Sequence, residues 1–181
     1  MSGVELRRAE VEDAAQIQAI FSYYVLHSVA TYHCDPPPIE VFTSKLERSI
    51  NNERFPFFVA VEGDSILGYA YGSEYRVFDG YSGTIEDSIF IHPQHQRKGL
   101  GKLLLGALID ECKRLKYRVM VAVFGGGRDI LPGTFKLHES SGFREVGKLL
   151  GVGEKFGQIL DTPILQLDLT TMNNERIINY A

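Results

Sequence analysis

The sequence predicts an α+β protein, with a mixed sheet of about seven strands flanked by about four helices. The strand-like segments occur in runs instead of alternating singly with helices, and segments with a helical apolar stripe are few. The 181 residues can bury one core, and 44% hydrophobic with 23% charged residues is an ordinary globular balance. We therefore expect a single domain at residues 1–169, followed by a polar tail at residues 170–181.

The first part of the chain predicts a strand, two helices and a strand pair. Glu12 and Asp13 suit the positive N-terminus of the first helix, and Pro36 to Pro38 separate it from the second. Turn residues at 62–65 join the two strands into a hairpin. The predicted elements are a strand at residues 4–8, helices at 11–25 and 39–50, and strands at 55–62 and 65–75.

The strand at residues 85–91 is the first half of the central segment of the chain. In an unbroken strand, side chains alternate between the two faces of the sheet. Glu86, Ser88 and Phe90 would then share one face, and Ile85, Asp87, Ile89 and Ile91 the other. Glu86 is the candidate functional carboxylate on this strand, and a bulge would make Asp87 the alternative.

The rest of the chain predicts a long amphipathic helix, a buried strand, a short helix and a final strand pair. Apolar residues recur at helical spacing in the long helix, and Gly142 suits the end of the short helix. The predicted apolar stripe of the long helix comprises Leu100, Leu103, Leu104, Ala107, Leu108, Cys112 and Leu115. The predicted elements are helices at residues 98–116 and 134–140, strands at 117–123, 143–149 and 159–169, and a turn-rich connection at 151–157.

The loop at residues 96–102 has the composition of an anion-binding site. Gly99 and Gly101 permit close backbone approach, and free amides at the start of the following helix point outward. The helix dipole and the positive charges of Arg97, Lys98 and Lys102 favour a pyrophosphate there. The alternative is a glycine-rich helix start with solvated basic side chains.

Several other classes of function are disfavoured. The net charge of −4 does not suggest binding to nucleic acid or to an anionic membrane. His92 and His95 lack a third metal ligand nearby, so no metal is expected. Cys34 and Cys112 form no disulfide framework, which favours reduced thiols and a cytoplasmic location. No apolar run is long enough to span a bilayer.

Four segments, in the right order along the chain, resemble the GNAT N-acetyltransferase superfamily and, within it, the phosphinothricin N-acetyltransferase family. They are residues 84–91 (TIEDSIFI), 96–101 (QRKGLG), 137–143 (LHESSGF) and 151–157 (GVGEKFG), the last followed by Asp161. The resemblance implies a GNAT-like, mostly antiparallel sheet. It also implies transfer of acetyl from acetyl-CoA to the amine of a small amino acid or analogue, of the phosphinothricin or methionine sulfoximine type.

The same resemblance assigns expected roles to individual residues. Glu86 would be the general base, and His138 would donate a proton to the departing CoA thiolate. The backbone at Ile89, Phe90 and Ile91 would pair with the pantetheine arm. The pyrophosphate-binding residues would be Gln96, Arg97, Lys98, Gly99, Leu100, Gly101 and Lys102.

The acceptor side departs from the family pattern. Tyr32, Arg76 and Phe78 are the candidate substrate contacts, but Phe78 stands where the family carries a second basic residue. The segment 125–133 is also longer than usual. An acetyltransferase for protein or peptide amines and a non-catalytic acyl-CoA-binding module therefore stay open as alternatives. By analogy with the family, we also expect a homodimer.

Overall fold

The computed structural model describes residues 3–170, which contain one seven-stranded sheet in the order β1-β2-β3-β4-β5-β7-β6. Of the predicted tail at residues 170–181, only Thr170 lies within the described residues. The strands are β1 Glu5–Arg8, β2 Phe57–Glu62, β3 Ser65–Glu74, β4 Thr84–Ile91, β5 Val119–Val123, β6 Arg144–Lys155 and β7 Gln158–Asp168. The helices are α1 Ala14–His27, α2 Ile39–Asn51, α3 Leu100–Arg114 and α4 Pro132–Ser140, with 3-10 turns at Val11–Asp13, Asp79–Tyr81 and Pro93–His95.

The predicted α+β architecture is confirmed, and the sheet is antiparallel except where β4 and β5 run parallel. Pairing between β4 and β5 starts at Thr84 and Val119 and ends at Asp87 and Ala122. Beyond this point β4 continues to Ile91 without β5 beside it. The two strands thus part, which leaves an opening within the sheet.

Two apolar cores cover the two faces of the sheet. Helix α3 packs on one face through buried residues such as Leu104 and Leu108, which belong to the same core as Ile85 and Met120. Helices α1 and α2 cover the other face, where the buried residues are Ala9, Ala14, Ile17, Ile20, Phe21, Val25, Phe42, Leu46, Phe57, Val59, Val61, Ile66 and Tyr69. Strand β4 lies in the middle of the sheet, so its side chains alternate between the two cores.

The predicted connection at residues 151–157 is wrong, because β6 runs through it to Lys155. Gly151 adopts a φ of 61° and lies within an irregularity of the β6–β7 register between Leu149 and Gly153. Its amide donates to Asp161 Oδ1 at 2.9 Å, so the glycine makes a bulge instead of a turn. The turn itself is short and falls between Lys155 and Gln158.

Helix α3 begins at Leu100 and not at the predicted Lys98, because the backbone before it is left-handed. Arg97 has a φ of 59° and Gly99 a φ of 80°, which is outside the helical region. Leu103, expected on the apolar face, is 36% exposed, whereas Leu105 is fully buried. The predicted apolar stripe of α3 therefore has the correct helical period, but the buried face of the helix is rotated slightly from it.

Candidate active site

A cavity of about 330 Å³ lies beside β4, near the point where β4 and β5 part, and residues from both faces of the sheet line it. Both predicted catalytic residues, Glu86 and His138, line it, as does the predicted substrate contact Tyr32. The other residues around the cavity are Phe21, Ala30, Thr31, His33, Lys45, Tyr71, Asp87, Ser88, Ile89, Phe90, Ala122, Val123, Phe124, Gly125 and Thr134. We call it the acceptor cavity.

Glu86 is held in the acceptor cavity by an unbroken stretch of β4. The β3–β4 register continues from Ile85 to Ile91 without a shift, so no bulge moves Asp87 into the place of Glu86. Within residues 3–170, the Glu86 carboxylate accepts no hydrogen bond. Burial and the charge of Asp87 raise its pKa to about 7, partly opposed by Arg76. A carboxylate with this pKa can take up a proton near neutral pH.

His138 and Asp87 form a buried pair on the other side of β4. The Nε2 atom of His138 lies 3.1 Å from Asp87 Oδ2, and its Nδ1 atom lies 2.8 Å from the Thr134 carbonyl oxygen. A carbonyl oxygen can only accept, so Nδ1 carries a proton. The second ring nitrogen and the carboxylate therefore share one further proton between them.

The surroundings favour that proton on the imidazole. Burial lowers the pKa of His138, but the hydrogen bond and the negative charge of Asp87 outweigh it, and the pKa lies above its usual value. The other oxygen of Asp87, Oδ1, is buried without a hydrogen-bond partner among the described residues. The pair can thus supply a proton at the edge of the acceptor cavity, and the role of His138 as donor to a leaving thiolate stays a prediction.

Tyr32 reaches the acceptor cavity because the C-terminal hairpin holds its ring. Its Oη atom lies 2.7 Å from Thr162 Oγ1 and donates to the Asp161 carbonyl oxygen at 3.2 Å. Gly153 lies against the same ring, where an added Cβ would overlap the side chain. Tyr32 therefore forms a fixed wall whose position depends on β6 and β7.

The loop that carries Tyr32 is also fixed by a buried lysine. Lys155 is only 3% exposed, and its ammonium donates to the carbonyl oxygens of Ser28 at 2.8 Å and Thr31 at 2.7 Å. The sequence reasoning missed Lys155, since a lysine in a glycine-rich segment gives no sign of burial.

Arg76 and Phe78 lie outside the lining of the acceptor cavity. They border a separate cleft of about 110 Å³ together with Tyr81 and Tyr117. Phe78 is 69% exposed, and the Arg76 guanidinium stacks 5.2 Å from the centre of the Tyr75 ring. Only the charge of Arg76 reaches the site, where it lowers the pKa of Glu86. Their predicted contact with the substrate stays a prediction.

A second and larger cleft, of about 560 Å³, runs along the free end of β4. It shares Ala30, Ile89, Phe90 and Thr134 with the acceptor cavity, so the two spaces meet at β4. Most of the predicted cofactor residues line this cleft, namely Ile89, Phe90, Ile91, Gln96, Arg97, Gly99, Leu100 and Gly101. The exposed Lys98 and Lys102 do not line it. We call it the cofactor cleft.

The backbone of Ile89 faces the opening between β4 and β5. The His92 amide donates to the Leu67 carbonyl oxygen at 2.8 Å, and in an antiparallel ladder every second residue bonds to the same neighbour. Ile89 and Ile91 therefore direct their backbone groups away from β3. Tyr24 Oη donates to the Ile91 carbonyl oxygen at 2.6 Å, which leaves the groups of Ile89 for a ligand.

The start of α3 and the segment 125–133 complete the cofactor cleft. The left-handed backbone at Arg97 and Gly99 turns the chain into α3, whose first amides have no partner within the helix. Ile130 to Gly133 line the same cleft, and Gly125 lines the acceptor cavity. The segment 125–133 thus contributes to the walls of both the cofactor cleft and the acceptor cavity.

Sequence reasoning also missed Lys45 and Tyr71 in the acceptor cavity. Lys45 Nζ donates to Tyr71 Oη at 3.0 Å. Lys45 stands three residues after Phe42 and one before Leu46, both buried. A lysine at this spacing lies on the apolar side of α2, which was the available signal.

Residues 3–170 contain no group of three or more His, Cys, Asp or Glu side chains that could hold a metal ion. None of the helices in the same range is long and apolar enough to cross a membrane.

Comparisons with known proteins agree with this geometry. The model of the acetyltransferase (GNAT) family matches residues 21–143. An L-methionine sulfoximine/L-methionine sulfone acetyltransferase from Salmonella typhimurium is 34% identical over 176 residues, which cover 91% of this chain and 94% of the relative.

Two solved structures are also similar to the chain. A GNAT superfamily phosphinothricin acetyltransferase from Sinorhizobium meliloti, in complex with AcCoA, has a TM-score of 0.85 and 35% identity, covering 92% of this chain and 88% of that one. A ribosomal-protein-alanine N-acetyltransferase from Brucella melitensis has a TM-score of 0.84 and 30% identity, covering 91% and 99%.

Proposed function

The chain belongs to the acetyltransferase (GNAT) family and is an acetyl-CoA-dependent N-acetyltransferase, and we propose that its acceptor is the amine of a small amino acid or amino-acid analogue. We further propose that Glu86 is the general base of the transfer. The observation that carries this proposal is the partly buried Glu86 carboxylate in a cavity that meets the cofactor cleft at Ile89 and Phe90.

Glu86 supports the first proton transfer. The acceptor enters as an ammonium ion, which has no lone pair for attack. Glu86, ionised above about pH 7, removes one proton from the ammonium, directly or through water. The neutral nitrogen then attacks the thioester carbonyl carbon, and an N–C bond forms while negative charge develops on the carbonyl oxygen. The Ile89 amide is the candidate donor to that oxygen.

The second half of the reaction breaks the C–S bond and releases CoA as a thiolate. The proton shared by His138 and Asp87 can neutralise this thiolate. The acceptor nitrogen loses its second proton to water, or to Glu86 once Glu86 has released the first, and keeps one hydrogen. The acceptor thereby becomes a neutral amide. Gln96, Arg97, Gly99, Leu100 and Gly101, at the start of α3, are proposed to hold the pyrophosphate in the cofactor cleft. The exposed Lys98 and Lys102 would add positive charge around it.

A thiol-release assay tests the acceptor class and the base together. With acetyl-CoA, we expect turnover of L-methionine sulfone, L-methionine sulfoximine or phosphinothricin, and a kcat/KM that rises with pH up to about 7. Glu86→Gln should lower kcat by about 10²- to 10⁴-fold. Unchanged turnover in this variant at the optimal pH of the wild type would rule out the general-base role.

A second candidate acceptor is the N-terminal amine of a protein, favoured by the likeness to the alanine N-acetyltransferase structure. It predicts faster acetylation of alanyl peptides than of free amino acids. A direct comparison of kcat/KM for an alanyl peptide and L-methionine sulfone separates the two. The acceptor cavity of about 330 Å³ suits the smaller molecule.

We also propose that the protein forms a homodimer. β6 stands at the edge of the sheet and is exposed along nearly its whole length, with Val146, Leu149, Leu150 and Val152 about half or more exposed. An exposed apolar edge strand of this kind is a site for pairing between chains. Sedimentation equilibrium of the wild type and of Leu150→Glu tests it, and a monomeric wild type would refute it.

The single domain over residues 1–169 and the cytoplasmic location are proposals as well. Limited proteolysis that leaves residues 1–169 intact would support the domain. The free thiols of Cys34 and Cys112 are compatible with a reducing compartment. Cell fractionation tests the location.

A further inference from the structure

The acceptor cavity is dipolar. Among the described residues that line it, Lys45 is the sole lysine or arginine. Asp87 is engaged by His138, which leaves Glu86 as the carboxylate without a partner. A ligand that carries both an ammonium and an acid group would meet a complementary charge at each end.

The Lys45 ammonium has no protein carboxylate as its partner among the described residues and is available to a ligand. It is half-buried, and within residues 3–170 it forms no ion pair. Its ammonium lies 4.8 Å from the centre of the Tyr71 ring and 5.8 Å from that of Phe42, and it donates one hydrogen bond, to Tyr71 Oη. A lysine has three donors, so two stay available.

The register of the sheet brings Lys45 close to Glu86. Tyr71 pairs with Ser88, and Ser73 pairs with Glu86, so these four side chains point to the same face. Tyr71 is thus a diagonal neighbour of Glu86, and such neighbours have α carbons about 7–8 Å apart. The ammonium of Lys45 sits on this tyrosine, which places a cation and a base on neighbouring positions of one wall.

We propose that Lys45 binds the α-carboxylate of the acceptor and thereby selects free amino acids over peptides and simple amines. In an α-amino acid one carbon carries both the amine and the carboxylate. The amine can therefore face Glu86 while the carboxylate faces Lys45. A peptide has an amide in place of the α-carboxylate and would leave the lysine without its anion. This assignment rests on the amino-acid acetylation proposed above and names what recognises the acceptor.

The test compares two acceptors that differ in one group, L-methionine sulfone and its α-carboxamide. The kcat/KM for each is measured in the wild type, in Lys45→Met and in Lys45→Arg. Lys113→Met, at an exposed position on α3, is the matched control. The intrinsic basicity of each amine is the same in every variant, so it cancels when the acid-to-amide ratio of one variant is divided by that of another.

In Lys45→Met, kcat/KM for the acid should fall about 10- to 100-fold, as for the loss of a charge-assisted hydrogen bond. The value for the carboxamide should change less than about threefold, so the preference for the acid disappears. Lys45→Arg should retain most of the preference, and Lys113→Met all of it.

Two results would overturn the assignment. An equal loss for both acceptors in Lys45→Met would mean that Lys45 supports the structure of the cavity, and no loss would mean that it does not touch the carboxylate. A wild type that acetylates alanyl peptides and neither amino-acid compound would instead refute the proposed function itself.

Discussion

Replacement of Glu86 by glutamine is expected to stabilise the protein while it removes activity. The pKa of Glu86 is about 7 in the folded protein, against the ordinary value of 4.5 that applies to the unfolded chain. The folded state therefore holds a proton that the unfolded state has lost between pH 4.5 and 7. The wild-type side chain is neutral in both states below this window, and its charge costs stability as pH rises through it.

The size of the effect follows from the two pKa values. Their difference corresponds to at most about 3 kcal/mol at 1.36 kcal/mol per pKa unit. Because Glu86 is only partly buried, solvent screens the charge, and we expect about 1–2 kcal/mol at pH 8. Glutamine keeps the shape without the charge, so Glu86→Gln should unfold at higher denaturant concentration than the wild type at pH 8. The difference in stability between the two proteins, called the gap below, should be much smaller at pH 5.

Urea unfolding at pH 5, 6, 7 and 8 measures the gap, with Glu47→Gln on the exposed surface of α2 as the control. The control should show no such widening with pH. A Glu86→Gln protein that is no more stable than the wild type at pH 8, or a gap that is constant with pH, would show that the Glu86 charge is not held in a poorly solvated site. Glu86 would then lack the raised pKa that suits a base acting near neutral pH.

Three further substitutions test other parts of the site. Gly99→Asp places a negative charge in the cofactor cleft and should weaken CoA binding at least tenfold by calorimetry. Asp87→Asn removes the partner of His138, so the imidazole should titrate at lower pH by NMR and kcat should fall about tenfold or more. Gly153→Ala pushes on Tyr32 and should raise the acceptor KM about 5- to 50-fold without changing CoA affinity.

Each of these has a control or a contradicting result. Gly80→Asp adds the same charge outside the cofactor cleft and should leave CoA affinity unchanged. An unshifted His138 titration in Asp87→Asn would mean that the carboxylate does not hold the imidazolium. Gly147 has no atom within 4 Å of an added Cβ, so Gly147→Ala should leave KM unaltered, and an equal rise in both variants would contradict the role of Tyr32.

The sequence was sufficient where local pattern decides structure. The alternation along β4 predicted that Glu86 and Asp87 point to opposite faces of the sheet, and the unbroken register confirms this prediction. The loop before α3 was predicted from its glycines, although the left-handed Arg97 and Gly99 delay the helix to Leu100. The spacing of apolar residues and the residue preferences of turns depend on residues close together in the sequence, so both can be recognised from a single sequence.

The sequence was insufficient where distant elements meet. Lys45 enters the acceptor cavity only because α2 packs on the face of the sheet that carries Glu86. A bulge and a turn both favour glycine, so Gly151 could not be assigned before its bond to Asp161 was known. Arg76 and Phe78, predicted from motif position, line a cleft separate from the acceptor cavity, and their contact with the substrate stays a prediction.

The tie between the Tyr32 loop and the C-terminal hairpin has a consequence for how the protein becomes active as it folds. Lys155 is 127 residues from Ser28, and Thr162 is 130 residues from Tyr32. Contacts of this span are entropically costly and form late. The residues that line the cofactor cleft end at Leu137 in the sequence, but one of them, Ser28, is held by Lys155. During synthesis from the N-terminus, the wall formed by Tyr32 would therefore be among the last parts of the site to take its place. Catalysis should begin only when the last two strands have docked.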